Sequence, residues 1–281
     1  MSDWSSVSSS SGQRFVFAES GDGPPVIFLH GFPDTPHSWE RIARVVASTG
    51  YRTICPWLRG YHPDTHVAGR GYDAATIARD PIELLDAIGA EDAVLVGHDW
   101  GAAITYGAAS LAPARVRALV AIAIPHPSLL PRNLGTLWAA RHFAGFKMPW
   151  AQAMTRRRDF RYLDTLYHRW APNWSGPLRE DSLGHVKDCF REPTSLEAAI
   201  GYYRALTPKA PRELARPAAV RALIVGGAAD IVPAALFAET AQRMGPGSDS
   251  LIVDGAGHWP HREGEELFLE HLLGFLATTR D

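Results

Sequence analysis

Asp99 stands at the centre of the pentapeptide Gly-His-Asp-Trp-Gly, residues 97–101, between two segments of contrasting composition. The apolar residues 93–96 are typical of a buried strand, and the alanine-rich residues 102–109 are typical of a helix. A nucleophile flanked by two glycines at such a junction predicts a sharp elbow that exposes the central side chain. A carboxylate there can displace a leaving group at saturated carbon and form an alkyl ester. The alternative is an aspartate that simply caps the helix.

Two further side chains follow later apolar runs in the order that such an elbow requires, an acid and then a histidine. Asp230 follows one run, and His258 lies in a glycine-rich loop after the next. We predict that His258 is a general base for Asp99 chemistry and that Asp230 orients it. Asp230 could alternatively cap the helix that follows it. His261 is expected to support the loop and cap the next helix.

Hydrolysis of an ester on Asp99 passes through a tetrahedral anion that needs hydrogen-bond donors. On this type of fold the donors are two backbone N–H groups, one from the residue after the nucleophile and one from an earlier loop. The first would come from Trp100. The second would come from Phe32, because His-Gly-Phe-Pro at residues 30–33 directly follows an apolar run. Both residues are also expected to contact substrate.

Apolar strand-like runs alternate with amphipathic helical patterns in the first half of the chain and again near its end. This alternation predicts an α/β fold, a mostly parallel central sheet with helices on both faces. The block between is rich in Arg, Trp, Tyr and Pro and lacks a strand run, which predicts an inserted, mainly helical cap. The predicted parts are a disordered tail at residues 1–12, a core at residues 13–126 and 211–281, and the cap at residues 127–210.

The composition is that of an ordinary globular domain, with 281 residues, 46% hydrophobic content and a formal net charge of −2. Such a charge gives no basic footprint for nucleic acid or membrane. The two cysteines, Cys55 and Cys189, follow no motif and fit a reducing cytoplasm. The N-terminus lacks the pattern of a signal peptide. No metal-ligand motif, phosphate loop or dinucleotide fingerprint is recognisable, so we expect no cofactor and a monomer or homodimer.

These motifs together resemble the α/β-hydrolase superfamily over roughly residues 14–279, and within it the epoxide hydrolases. The resemblance rests on His-Gly-Phe-Pro at residues 30–33, the pentapeptide around Asp99, Asp230, and Gly-His-Trp-Pro-His at residues 257–261 with Glu263. It implies a hydrolase acting on ether bonds, which converts an apolar epoxide and water to a vicinal diol through a covalent ester on Asp99. The cap tryptophans that agree with an apolar substrate are Trp138, Trp150, Trp170 and Trp174.

The resemblance also implies two proton donors in the cap, usually both tyrosines, that assist opening of the epoxide ring. Tyr203, just before an arginine, matches one of these positions, and a protonated phenol suits the task. Tyr202 is its competitor and is expected, with Phe143, to contact substrate. The segment where the other tyrosine should occur, residues 141–149, contains none. His142 takes its place by spacing, and a neutral imidazole can donate one hydrogen bond.

Other assignments share parts of this pattern. Tyr162 and Tyr167 are alternative donors in the cap. A haloalkane dehalogenase could use the same triad with Trp100 as a halide ligand, but that family typically has an asparagine or tryptophan in place of Phe32. A haloacetate dehalogenase would place arginines beside the nucleophile, where this chain has none. A catalytically silent scaffold that binds a small molecule would not need to retain nucleophile, acid and base together.

Overall fold

An eight-stranded sheet forms the centre of the protein, for which a computed structural model describes residues 4–66, 71–129, 141–207 and 217–279. The strands are β1 (Ser5–Ser8), β2 (Arg14–Ser20), β3 (Pro25–Leu29), β4 (Arg52–Pro56), β5 (Ala93–His98), β6 (Val116–Ile122), β7 (Ala222–Gly227) and β8 (Asp249–Val253). Their order is β1-β2-β4-β3-β5-β6-β7-β8. The pairs β1–β2 and β2–β4 are antiparallel, and every other pair is parallel. The prediction of a mostly parallel sheet is confirmed.

Helices cover both faces of this sheet, as its continuous apolar strands require. Along β3, Ile27 and Leu29 belong to one buried apolar cluster and Val26 and Phe28 to the other, because successive side chains of a strand point to opposite faces. The core helices are α1 (Glu40–Ser48), α2 (Ala74–Ala87), α3 (Trp100–Leu111), α8 (Ala235–Arg243), α9 (Pro260–Glu263) and α10 (Glu265–Ala277).

Between β6 and β7 the described residues form four further helices. They are α4 (Arg141–Lys147), α5 (Ala151–Trp170), α6 (Pro177–Arg191) and α7 (Pro193–Ala205). The described residues of this segment contain no strand, so the prediction of a mainly helical insertion is confirmed. Its predicted boundary at residues 210 and 211 and the cap residue Trp138 lie outside the described residues.

The N-terminal residues form structure where the sequence predicted a disordered tail. That prediction is wrong for the described residues from Trp4 onward, because β1 pairs with residues 14–17 of β2. The Trp4 ring lies 5.3 Å from that of Trp57, which anchors the strand to the core. Backbone pairing at a sheet edge does not require apolar side chains, so the serine-rich composition was misleading.

Candidate active site

Asp99 lies in the elbow between β5 and α3, with the strained backbone angles φ 52° and ψ −113°. The surrounding glycines are needed for close approach. A Cβ atom on Gly101 would lie 2.1 Å from the backbone oxygen of Leu29, and one on Gly31 would lie 2.5 Å from the Asp99 Cβ. A strained backbone that persists in a tightly packed setting is typical of functional sites. The elbow holds the Asp99 carboxylate above the ends of the parallel strands.

The structure brings the predicted acid and base together at Asp99. The loop after β7 provides Asp230, whose Oδ2 lies 3.0 Å from Nδ1 of His258. The loop after β8 provides His258, whose Nε2 lies 3.4 Å from Oδ2 of Asp99. The side chain of Asp230 is fully buried and that of His258 nearly so. The imidazole therefore spans two carboxylates in a site shielded from water.

Burial and charge oppose each other at these groups. Burial alone would lower the pKa of His258, but its ion pairs and hydrogen bonds with Asp230 and Asp99 raise that pKa to about 10. Burial alone would raise the pKa of Asp99, but His258 and the Phe32 amide hold it below its usual value. At neutral pH the site therefore contains an ionised Asp99, which can act as a nucleophile, beside a charged imidazole.

One of the two predicted oxyanion donors contacts the Asp99 carboxylate directly. The Phe32 N–H donates to Oδ1 of Asp99 at 2.8 Å. Trp100 is the first residue of α3, where a backbone N–H has no partner within its own helix. The loop that carries Phe32 is fixed from the cap, because the Tyr167 hydroxyl donates to the backbone oxygen of Pro33 at 3.0 Å. One backbone donor thus lies where negative charge would develop on Asp99, and the Trp100 N–H stays the predicted second donor.

Tyr203 and Tyr202 are both buried on α7 but differ in their partners. The Tyr202 hydroxyl donates to the backbone oxygen of Arg59 at 3.0 Å, which commits it to a structural contact. The Tyr203 ring packs between Phe32 and Trp100, with centroids 5.3 and 5.2 Å away, and its hydroxyl bonds to the Trp100 side chain. Burial and the charge of Asp99 raise the pKa of Tyr203 well above its usual value. Tyr203 therefore remains a protonated donor near Asp99.

His142 lies beside Tyr203, as the spacing predicted. Its ring is 5.8 Å from that of Tyr203 and 4.8 Å from that of Trp170. Phe143 also contacts Tyr203, at 5.0 Å between centroids. Of the two alternative donors, Tyr167 is engaged with Pro33, whereas Tyr162 is half-buried and packs against Phe146.

The final turn of α5 contacts the catalytic loop directly. The backbone N–H of His258 donates to the backbone oxygen of Trp170 at 2.9 Å, and the two rings lie 5.1 Å apart. A Cβ atom on Gly257 would lie 2.2 Å from the same oxygen, so only glycine permits this contact. The cap and His258 are therefore joined through backbone atoms.

Asp34 and His98 support the backbone of His258, and neither was predicted from the sequence as a site residue. Nε2 of His98 lies 2.8 Å from the backbone oxygen of His258, and its Nδ1 lies 3.3 Å from Oδ2 of Asp34. The backbone oxygen of His258 can only accept, so Nε2 of His98 donates to it. Ser38 also donates to Asp34. The only signal in the sequence is that His98 lies within the pentapeptide around Asp99 and that Asp34 directly follows residues 30–33.

His261 does not act as the helix cap that was predicted. It lies within α9, its ring packs on Trp39 at 4.5 Å, and its ring nitrogens have no hydrogen-bond partner in the described structure. Glu263 fills the predicted role instead, because its carboxylate accepts from the backbone N–H groups of Gly257 and Trp259 at 2.8 and 3.0 Å. A carboxylate satisfies two exposed N–H groups at a helix start, which a buried imidazole does not.

Among the described residues one group has the chemistry of a metal site, since ligand atoms of Asp34, His98 and His261 lie within 4.8 Å of one another. Nε2 of His98 already bonds to the backbone oxygen of His258, and Asp34 accepts from the Ser38 hydroxyl. Hydrogen bonds therefore already engage two of the polar atoms in this group.

Tyr61 contributes a second buried phenol that sequence reasoning missed. Its hydroxyl has no hydrogen-bond partner in the part of the chain that the structure describes. Burial, with the charges of Tyr202, Tyr203 and Asp99, raises its pKa well above the usual value. A buried, protonated hydroxyl without a partner can donate to a ligand in the site.

Comparison with known proteins gives a consistent set of relatives. The profile of the α/β hydrolase fold matches residues 24–265. An epoxide hydrolase of Caballeronia sordidicola is 31% identical, with 92% of this chain and 89% of the relative covered. Epoxide hydrolase A of Mycobacterium tuberculosis is 28% identical, with 95% of each chain covered. The crystal structure of epoxide hydrolase VrEH1 from Vigna radiata superposes with a TM-score of 0.80 at 23% identity over 98% of each chain, a likeness of fold.

Proposed function

Because the chain belongs to the α/β-hydrolase superfamily and, within it, to the epoxide hydrolase family, we propose that it converts an apolar epoxide and water to a vicinal diol. The observation that carries this proposal is the placement of the Tyr203 phenol beside the Asp99 carboxylate: its ring packs from the cap between Phe32, whose N–H binds Asp99, and Trp100, the residue after Asp99. Attack on an epoxide needs both at once, a nucleophile for carbon and a proton for the ring oxygen.

In the first step, Oδ2 of Asp99 attacks one epoxide carbon. The C–O bond of the ring breaks as the ester bond forms, and Tyr203 gives its proton to the ring oxygen while His142 donates a second hydrogen bond. Oδ1 of Asp99 stays with the Phe32 amide, which supports attack through the other oxygen. The product of this step is a hydroxyalkyl ester on Asp99.

In the second step, His258 takes a proton from a water molecule that attacks the Asp99 carboxyl carbon. Esterification has removed the negative charge of Asp99, one of the causes that raise the pKa of His258. The charged imidazole therefore gives its proton to the Tyr203 phenolate left by the first step, which restores the phenol and leaves His258 neutral and able to act as a base. The Phe32 and Trp100 amides stabilise the tetrahedral anion. When the anion collapses, the diol oxygen leaves with the proton of the newly added hydroxyl, and the Asp99 carboxylate is regenerated beside the charged His258.

Aromatic rings around Tyr203 support an apolar substrate. The Phe146 ring lies 4.8 Å from that of Tyr203, and the Phe190 ring stacks on that of Phe32 at 5.8 Å. A pocket bordered by rings binds apolar groups by excluding water from them. The Trp100 side chain, a candidate halide ligand, already bonds to Tyr203, which favours the epoxide reaction over dehalogenation.

The decisive experiment is a single turnover in water enriched in oxygen-18, with enzyme in excess over styrene oxide. The ester mechanism predicts that label enters the Asp99 carboxylate, because water attacks the carboxyl carbon and an unlabelled oxygen leaves with the diol. Mass spectrometry of the Asp99 peptide measures this. Label found only in the diol would refute the covalent step.

The variant His258→Gln tests the base. It should form the ester but hydrolyse it slowly, so the protein mass should increase by the mass of the epoxide. Asp99→Asn/His258→Gln is the matched control and should gain no mass. Absence of diol from every member of an epoxide panel, with the wild type folded, would contradict the proposed activity. Halide release from a chloroalkane would then point to a dehalogenase.

A further inference from the structure

The charge of the protein is strongly segregated, which the whole-chain value conceals. Residues 141–170, which contain α4 and α5, carry seven Arg and Lys residues but only two Asp and no Glu. Their net charge is therefore +5, whereas that of the rest of the chain is −7. The expectation that the protein has no membrane partner depended on the net charge of −2 and did not take this segregation into account.

The two acids of this segment do not neutralise its arginines, because they face α6. Asp159 pairs with Lys187 and Arg191, and Asp164 pairs with Lys187 at 3.1 Å. The exposed side chains of Arg157, Arg158 and Arg161 are among the uncompensated cations, since the described structure contains no acidic partner for them.

These three arginines border one cleft of about 320 Å³ on the cap, together with Met154, Tyr162 and Thr165. The helix is interrupted where the arginines cluster, since Arg158, Asp159 and Phe160 have positive φ angles of 52°, 49° and 59°. L-residues rarely adopt this conformation, and three in succession indicate a shape held against local preference.

Apolar side chains adjoin the cleft. Trp150 is 61% exposed at the start of α5, and Met148 beside it is 37% exposed. Met154, one turn after Trp150, shares its helical face and lines the cleft. We call Trp150, Met154, Arg157, Arg158 and Arg161 the basic cap face. Exposed tryptophan beside uncompensated arginine is the combination found where proteins meet the headgroup region of a bilayer.

We propose that the basic cap face docks on membranes that contain anionic lipids. Lipid phosphates would bind the arginines at the cleft, and Trp150 would lie at the level of the headgroups. No described helix is long and apolar enough to cross a membrane, so the contact is one of surface to surface. The docking itself does not depend on epoxide chemistry. Only the functional consequence rests on the proposed function: docking would bring the substrate pocket under the cap close to a bilayer in which apolar epoxides dissolve.

Vesicle cosedimentation tests the proposal without any turnover. The wild type should bind vesicles of phosphatidylcholine mixed equally with phosphatidylglycerol, should not bind phosphatidylcholine alone, and should dissociate as salt increases. Arg157→Gln/Arg158→Gln/Arg161→Gln should partition on the order of 100-fold more weakly, since each arginine near an anionic surface contributes about fivefold. Trp150→Ala should remove fluorescence quenching by brominated lipid.

The matched control removes three exposed arginines from core helices, Arg44→Gln/Arg79→Gln/Arg243→Gln, and so has the same net charge. It should bind the anionic vesicles as the wild type does. Circular dichroism and hydrolysis of a water-soluble epoxide verify that both triple variants are folded. Failure of the wild type to bind anionic vesicles, or equal losses in the two triple variants, would overturn the proposal. The proposal would also be overturned if inorganic phosphate raised the melting temperature of the wild type while no vesicles bound, because this result would identify a site for soluble anions.

Discussion

The two halves of the candidate site are held in different ways. In the core, Asp99, His258 and Asp230 are linked by hydrogen bonds of 3.0 to 3.4 Å between the loops that follow three strands. In the cap, Tyr203 and His142 are held mainly by rings packed around them. Hydrogen bonds fix distance and direction, whereas ring packing fixes shape and tolerates substitution more readily. The core half is therefore suited to a single reaction. The cap half is suited to changes in substrate selectivity.

The sharpest test of this contrast is Asp99→Asn, which keeps the shape of the elbow but removes the nucleophile. Turnover should fall by several orders of magnitude, as when the nucleophile of a catalytic triad is lost. Steady-state diol formation measures the effect, and thermal melting checks the fold. Activity within tenfold of the wild type would mean that the core half does not carry the chemistry.

On the cap side, Tyr203→Phe keeps the ring and removes only the proton donor. Ester formation should slow by about 100-fold, the lower range for general acid catalysis, because His142 still donates a hydrogen bond. Pre-steady-state kinetics measure this step. Tyr202→Phe is the matched control, which loses its bond to Arg59 and about 1 kcal/mol of stability but little activity. If the two variants lost the same activity, ring packing rather than proton donation would explain Tyr203.

The ion pair in the core also predicts a dependence of stability on pH that the cap should lack. The pKa of His258 is about 10 in the folded protein and about 6.5 when unpaired, so its stabilisation is full below pH 6.5 and disappears as pH rises toward 10. Denaturant unfolding should therefore show a steeper loss of stability from pH 7 to pH 10 in the wild type than in His258→Gln. Parallel curves would indicate that His258 is not paired in solution.

The smallest expected effect concerns the contact between the two halves. Tyr167→Phe removes the hydrogen bond from the cap to Pro33, beside the oxyanion donor Phe32. The free energy of unfolding should fall by about 1 kcal/mol. Turnover should fall less than in Tyr203→Phe, because the Phe32 amide itself is retained. A loss of turnover as large as in Tyr203→Phe would show that the cap controls the oxyanion donors.

The sequence was most informative where local constraints and function coincide. The elbow at Asp99 needs glycines at defined spacing, and the parallel sheet needs continuous apolar runs, so both could be predicted. The tail could not, because β1 forms through backbone pairing and one anchoring ring, that of Trp4. Likewise Asp34 and Tyr61 approach the site only through the tertiary fold, and no spacing in the chain indicates their partners.

The tyrosines of α7 and the residues near α9 also show what the sequence could and could not predict. Tyr202 and Tyr203 are adjacent and chemically identical, and the resemblance favoured Tyr203 by its position alone. Their different partners, Arg59 and Trp100, depend on how α7 packs over the core. His261 was assigned to a helix cap because it stands near a helix start, but Glu263 can satisfy two N–H groups there and does so.

The bond between the His258 N–H and the Trp170 oxygen has a consequence for building hybrid enzymes. A cap transplanted from a relative would place its own main chain at the position of Trp170. The hydrogen bond that positions the loop of His258 would then change. Exchanging caps to alter selectivity would therefore also change the rate of the proposed hydrolytic step. Hybrids that carry a foreign cap should retain residues 167–171 of the recipient, so that selectivity can be varied while His258 keeps its position.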